Sequence, residues 1–308
     1  MRADFQRRQR QPSTSNHTGQ SDFARSVTLE CTRETDIDVS RARDVARSVE
    51  LLARQQSRLG PELLARLIES ELASRGGAVF GQRYRTSLQL RRLGVPVVIC
   101  LSGTAAIGKS TLAARLSTAL GIPHVTETCD LRQVLRSVTP ANLIGEIHGP
   151  AFEVDDLFTL PDIDDRVRRR NQDIQTTAIS RLTATSVQRV IHEGHSMILE
   201  GTHLRPGMIR DLLTDSGAPV VVIERLLTAK SSDRHAMHLQ CSLRDAGLDP
   251  SEEDFFRGLA SLRELQDDYI HNATETGVVA HDVERASELR YSIASELVDA
   301  AQALALHG

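Results

Sequence analysis

Two rhythms of apolar residues divide this chain. Between residues 40 and 75 they recur at helical spacing. Val45, Val49 and Leu52 form one stripe and Leu63, Leu64, Leu67, Ile68 and Leu72 another, with Gly60-Pro61 between them. This predicts a small unit of two or three helices ending at Gly76-Gly77, then a basic connector through Arg83-Tyr84-Arg85 and Arg91-Arg92. Beyond it, short apolar runs at 97–101, 196–199 and 220–223, with further strand candidates at 124–128 and 277–280, alternate with helical stretches. Unbroken runs suit strands buried on both faces, and their alternation with helices predicts an α/β fold, a parallel sheet sandwiched by helices. Leu112, Leu116 and Leu120 mark one helix of this part, and residues 165–193 another. Residues 1–25 hold almost no apolar side chain and are expected to be a disordered tail. Their Arg- and Ser-rich, acid-poor make-up also suits an organelle transit peptide. The predicted layout is a tail over 1–25, a helical domain over 26–90 and an α/β domain over 91–308.

Composition narrows the function classes. A net charge of −4 supplies no basic footprint for nucleic acid or an anionic membrane, and no apolar run approaches the ~18 residues needed to span a bilayer. Cys31, Cys100, Cys129 and Cys241 are scattered without a C-x-x-C pair, so neither a zinc site nor a disulfide framework is predicted, and a cytoplasmic location is expected. Oligomeric state is left open, a homo-oligomer included.

Of 37 basic side chains only two are lysines, Lys109 and Lys230. Lys109 lies within Gly103-Thr104-Ala105-Ala106-Ile107-Gly108-Lys109-Ser110-Thr111, which fits the phosphate-loop pattern G-x-x-x-x-G-K-[ST] between a predicted strand and a predicted helix. Glycines let the backbone turn with positive φ and approach a nucleotide closely. Successive amides then form an anion nest. Lys109 brings a compact charge to the β- and γ-phosphates, and Ser110 a hydroxyl for Mg²⁺. ATP and Mg²⁺ are the expected cofactors.

Ligands of such sheets bind beyond the carboxyl ends of the strands. The second predicted strand ends in Thr128-Cys129-Asp130-Leu131-Arg132, with Arg136 one turn on. Asp130 can take a proton from an acceptor or hold Mg²⁺ through water, and it can equally cap a helix. Arg132 and Arg136 can fork onto phosphate or carboxylate. The third strand leads into Glu200-Gly201-Thr202-His203-Leu204-Arg205-Pro206-Gly207, where Glu200 is placed to organise metal and His203 and Arg205 to meet an acceptor. Glu200 can also be a surface acid at a turn, and His203 a structural hydrogen bonder. Arg166, Arg168, Arg169 and Arg170, interleaved with acids, read as a solvated helix face. Arg234 and Arg244 are lid candidates for covering the γ-phosphate.

Together these strings resemble the 2-phosphoglycerate kinase family of P-loop kinases. Its pieces are a glycine-rich loop, a T-D-x-[IL]-R-x-x-[LM]-R strand end, an [IL]-E-G-x-H-L-x-P-G turn and a late R-x-I-Q-x-Y-I helix. They are matched here at 103–111, 128–136, 198–207 and 263–270, the last with Gln266 and Tyr269. Cys129 departs from the pattern and reads as an insertion before Asp130. The resemblance implies an ATP-cone-like helical domain ahead of a kinase domain. It also implies transfer of the γ-phosphoryl group of ATP to a small anionic metabolite, 2-phosphoglycerate first, giving 2,3-bisphosphoglycerate. The alternatives are another sugar-acid or polyol-phosphate kinase, and a nucleotide-gated regulator without an acceptor.

Overall fold

The computed structural model describes residues 21–90, 94–213 and 219–307. Contacts divide the chain into two units, Met1–Arg92 and Leu93–Gly308. The proposed tail at 1–20 and the Arg91-Arg92 pair lie outside the described residues.

The first unit contains α1 (Asp22–Thr35), α2 (Val39–Arg54), α3 (Pro61–Glu71), a π-turn over Leu72–Gly76, and α4 (Ala78–Leu90). Two expectations are corrected. Residues 22–25, assigned to the tail, open α1, because Ser21 caps it by accepting from the Ala24 amide at 3.1 Å. Residues 83–90, assigned to a connector, are helical. Tyr84 is buried and donates to Glu30 at 2.6 Å, and Gly81 allows close packing where a Cβ would stand 2.8 Å from that of Ala73. Val27, Cys31, Val45, Val49, Ile68 and Leu72 fill the core.

The second unit is built on a parallel sheet of order β2-β3-β1-β4-β5, from β1 (Val97–Ser102), β2 (His124–Glu127), β3 (Met197–Gly201), β4 (Val221–Thr228) and β5 (Val279–Asp282). The α/β expectation is borne out. Every residue of β1 and β3 is buried, which is why those strands read as unbroken apolar runs. The helices are α5 (Lys109–Leu120), α6 (Thr128–Val138), α7 (Gly145–His148), α8 (Val154–Thr159), α9 (Asp165–His192), α10 (Met208–Leu213), α11 (Ser232–Ala246), α12 (Glu252–Thr276) and α13 (Ala286–His307). Register aligns the carboxyl ends: Ser102 pairs with Gly201, and Glu127 with Glu200. Whatever follows those residues shares one edge.

The inner face of α9 is unusual. Arg168, Asn171, Gln172, Gln175 and Thr176 are buried there beside Ile179 and Val187. Arg168, expected on a solvated face, is 1% exposed and donates to the Asp156 carbonyl at 2.9 Å. Asn171 donates to Pro150, Gln172 to Thr202, and Gln175 to both Glu146 and Gly149. Buried amides need such partners, and here the partners are carbonyls of irregular backbone. α9 thereby anchors residues 146–160 and the β3 turn around the sheet edge.

Candidate active site

The loop after β1 has the required backbone shape. Gly103 (φ 149°) and Gly108 (φ 83°) lie at positive φ, as does Ala106 (φ 57°). At Gly103 a Cβ would overlap Ile107 and stand 2.8 Å from the Leu227 carbonyl, so only glycine fits between β1 and β4. α5 starts at Lys109, so its free amides face the loop and favour an anion there. Lys109 is buried and folds back over the loop, its Nζ donating to the Thr104 carbonyl at 2.7 Å. Thr104 Oγ1 is buried without a partner, and Ser110 is exposed.

Carboxylates gather at the neighbouring strand ends. Glu200 is 2% exposed, and its Oε1 has no hydrogen-bond partner. Burial raises the Glu127 pKa above the ordinary carboxylate range, reinforced by the charges of Glu200 and Asp130 and a hydrogen bond with Glu200; Lys109 opposes the rise. Two close acids with an unsatisfied oxygen suit a hard cation. Among the described residues no group of three or more His, Cys, Asp or Glu forms a metal cluster. Mg²⁺ commonly takes only one or two carboxylates and fills its sphere with phosphate and water, so Ser110, Glu200 and Glu127 fit it.

β2 ends at Glu127, and the segment read as its end, residues 128–136, begins α6 instead. Glu127 holds the N-cap position, so Asp130 is not the cap; it stands exposed on the first turn. Counting back from Arg132 puts Cys129 where the family pattern has its acid, so Cys129 replaces that acid and is not an insertion. Its thiol lies 3.7 and 3.8 Å from the two carboxylate oxygens of Glu153, and burial pushes its pKa well up. Thr202 Oγ1 also donates to Glu153. His203 is fully buried, Nδ1 3.7 Å from Glu153 and Nε2 3.3 Å from Gln175 Oε1. Burial lowers its pKa to about 4, so it is neutral at pH 7. The charges of Lys109 and Arg132 reach it, which puts both in this neighbourhood.

The arginines are engaged in different ways. Arg132 is 3% exposed and donates to Asp156 at 2.6 Å and the Gly149 carbonyl at 3.2 Å, while its buried Nε has no partner. Arg136 donates to the His148 carbonyl at 3.0 Å. Arg205 pairs with Asp173 in a groove of about 240 Å³ shared with Tyr269 and Asn272. Arg234 pairs with Glu284 at 2.9 Å. Its neighbour His235, fully buried, lies 3.4 Å from the Ala105 carbonyl, so Arg234 stands near the loop. Arg244 is exposed in the last turn of α11, about 15 Å further along the helix at 1.5 Å per residue.

Sequence reasoning missed Glu127, Glu153 and His235. The strand-end rule could have found Glu127, whereas no sequence signal marks Glu153, which α9 brings in from a loop.

No protein-family model matches the chain. Among curated proteins, it is 29% identical over 194 residues to the 2-phosphoglycerate kinase of Pyrococcus furiosus, covering 61% of this chain and 63% of that protein. It is 26% identical over 269 residues to the 2-phosphoglycerate kinase of Thermococcus kodakarensis, covering 86% and 87%. The chain thus spans a little under two thirds of the first of these relatives and most of the second. Of solved structures, the shikimate kinase from Acinetobacter baumannii in complex with shikimate overlays loosely, with a TM-score of 0.41 and 13% identity over 67% of this chain and 98% of that one. The resemblance to 2-phosphoglycerate kinases drawn from the motifs is borne out.

Proposed function

We propose that this chain is an ATP-dependent kinase that phosphorylates a hydroxyl of a small anionic metabolite, with 2-phosphoglycerate the leading acceptor. The observation that carries the reading is the loop of residues 103–108, whose positive-φ glycines, with the buried Lys109 that follows them, open onto the edge where Glu127 and Glu200 meet. The kinship with 2-phosphoglycerate kinases supports the acceptor. In this reading the loop amides and Lys109 hold the triphosphate, and Arg234 is the better placed lid residue. Ser110, Glu200 and Glu127 would hold Mg²⁺, which when bound neutralises phosphate charge. Arg132 offers its unpaired Nε to the acceptor's anionic group while its Nη2 fixes residues 149–156. Holding reactants in register supplies most of the catalysis in such transfers. The helical unit, with its own apolar core, takes the ATP-cone-like role in this proposal.

A panel of phosphorylated hydroxy acids, scored for acceptor-stimulated ADP release by the full chain, tests the reading. Stimulation by 2-phosphoglycerate is expected, and release that no acceptor alters would remove the kinase assignment.

A further inference from the structure

We propose that Glu153, on the loop entering α8, is the carboxylate that takes the proton of the acceptor hydroxyl. The inference rests on the kinase reading above, and its evidence is the set of groups around that side chain. Thr202 Oγ1 donates to one carboxylate oxygen and the Cys129 thiol faces both at 3.7 and 3.8 Å. The side chain is 17% exposed, open at one side and walled at the others. These donors suit the ionised form.

The protonated form is also provided for. Both amide hydrogens of Gln175 are committed, to the Glu146 carbonyl at 2.8 Å and the Gly149 carbonyl at 2.9 Å, so its oxygen faces His203 Nε2. The ring hydrogen of neutral His203 must therefore sit on Nε2, which leaves Nδ1 as a lone-pair acceptor 3.3 Å from Thr202 Oγ1 and 3.7 Å from Glu153. When Glu153 is ionised the Thr202 hydroxyl donates to it, and when Glu153 carries the proton it can donate to that hydroxyl, whose own hydrogen then turns to Nδ1. A carboxylate that only braced Thr202 would need donors alone.

Position agrees with this role. The Cys129 thiol, in contact with Glu153, lies within reach of the charges of Lys109, Glu200 and Glu127, the groups assigned to the phosphates and metal. Asp130, one residue further along α6 and so turned by about 100°, is exposed. In the step itself the acceptor O–H bond breaks and its proton passes to Glu153. The acceptor oxygen forms a bond to the γ-phosphorus, and the bond from that phosphorus to the β,γ-bridging oxygen breaks with its electron pair leaving on ADP. Glu153 then returns the proton to solvent.

The test compares Glu153→Gln with Asp130→Asn in the full chain. Gln keeps the size and still accepts from Thr202. Glu153→Gln should lower kcat by about a hundredfold or more, the scale of a lost general base, leave the KM for ATP within about threefold, and abolish the acid limb of the pH–kcat profile. Asp130→Asn should lose less than about tenfold. Glu153→Asp, which retracts the charge by one methylene, should keep the acid limb and lose about tenfold. Near-wild-type kcat with the acid limb intact in Glu153→Gln overturns the assignment and leaves the kinase reading standing, as does a collapse of Asp130→Asn alone. Unchanged kcat in Glu153→Asp also counts against it. A wild-type chain that phosphorylates no acceptor removes both claims.

Discussion

Replacing Arg132 by Ala should loosen residues 149–156 before it reveals anything about the acceptor. The guanidinium is buried and bonds Asp156 at 2.6 Å, and Asp156 in turn accepts from the Ala151 amide at 2.9 Å. Removing one partner of a buried ion pair costs about 3–5 kcal/mol, because the other charge is left without compensation. Asp156 is 15% exposed and keeps its backbone donor, and the Gly149 carbonyl keeps Gln175, which favours the low end, about 3 kcal/mol. For a domain of this size each kcal/mol moves Tm by about 2–4 °C, so Arg132→Ala should melt about 6–12 °C lower. Thermal unfolding followed by circular dichroism measures this. Removing both partners, Arg132→Met with Asp156→Leu, should recover part of the loss, since no buried charge then stands alone. Kinetics taken well below the lowered Tm should show the acceptor KM rising more than that of ATP. A fall in Tm under about 2 °C, with the acceptor KM alone affected, would show that the ion pair carries no structural weight and refute the reasoning.

Other predictions are more direct. Lys109→Ala should reduce turnover by at least about a hundredfold in acceptor phosphorylation, and Lys109→Arg should fail too, because a planar fork does not fit a nest shaped for an ammonium. Gly201→Ala should yield little folded protein in a solubility and melting assay: φ is +150°, and a Cβ there would overlap Thr128 Oγ1 and stand 2.7 Å from Thr128 Cβ. His203 and His235 are both held down to about pKa 4 by burial, from 6.5. Since the unfolded chain binds those protons first, stability should be full above about pH 6.5 and fall as pH drops toward 4, by on the order of 3 kcal/mol for each histidine. Urea titrations across that range check this, and His235→Gln should flatten the dependence.

What was legible in the sequence follows from burial. β1 and β3 are enclosed on both faces and show as apolar runs, and the loop motif lies between such a strand and a helix. β4 was seen only in its first half because Glu224 and Arg225 interrupt the apolar run. Glu224 is buried against the Gly207 and Arg210 amides and Arg225 pairs with Glu296, partnerships formed with distant segments. α4 was hidden because Gly76-Gly77 looks like the end of the helical unit and Arg83-Tyr84-Arg85 like a basic link, whereas Tyr84 is buried and Gly81 packs against Ala73. Helical phase separates Asp130 from the buried groups beside it. Asp130 and Cys129 are neighbours in sequence, but one turns outward and the other faces Glu153. Glu153 itself depends on the buried amides of α9, a helix legible in the sequence whose polar inner face reads as solvated because charged and amide side chains are usually exposed.

The most direct test of the central claim is phosphorus NMR of purified chain incubated with ATP, Mg²⁺ and either 2-phosphoglycerate or glycerol. The account predicts a second phosphomonoester signal on the glycerate, growing in step with ADP, and no phosphorylation of glycerol. A neutral polyol would leave the buried Arg132 Nε without an anionic acceptor, at a cost of about 1–3 kcal/mol for an unsatisfied donor. Efficient phosphorylation of glycerol, or ADP formation with no new phosphomonoester on any anionic acceptor, would contradict it.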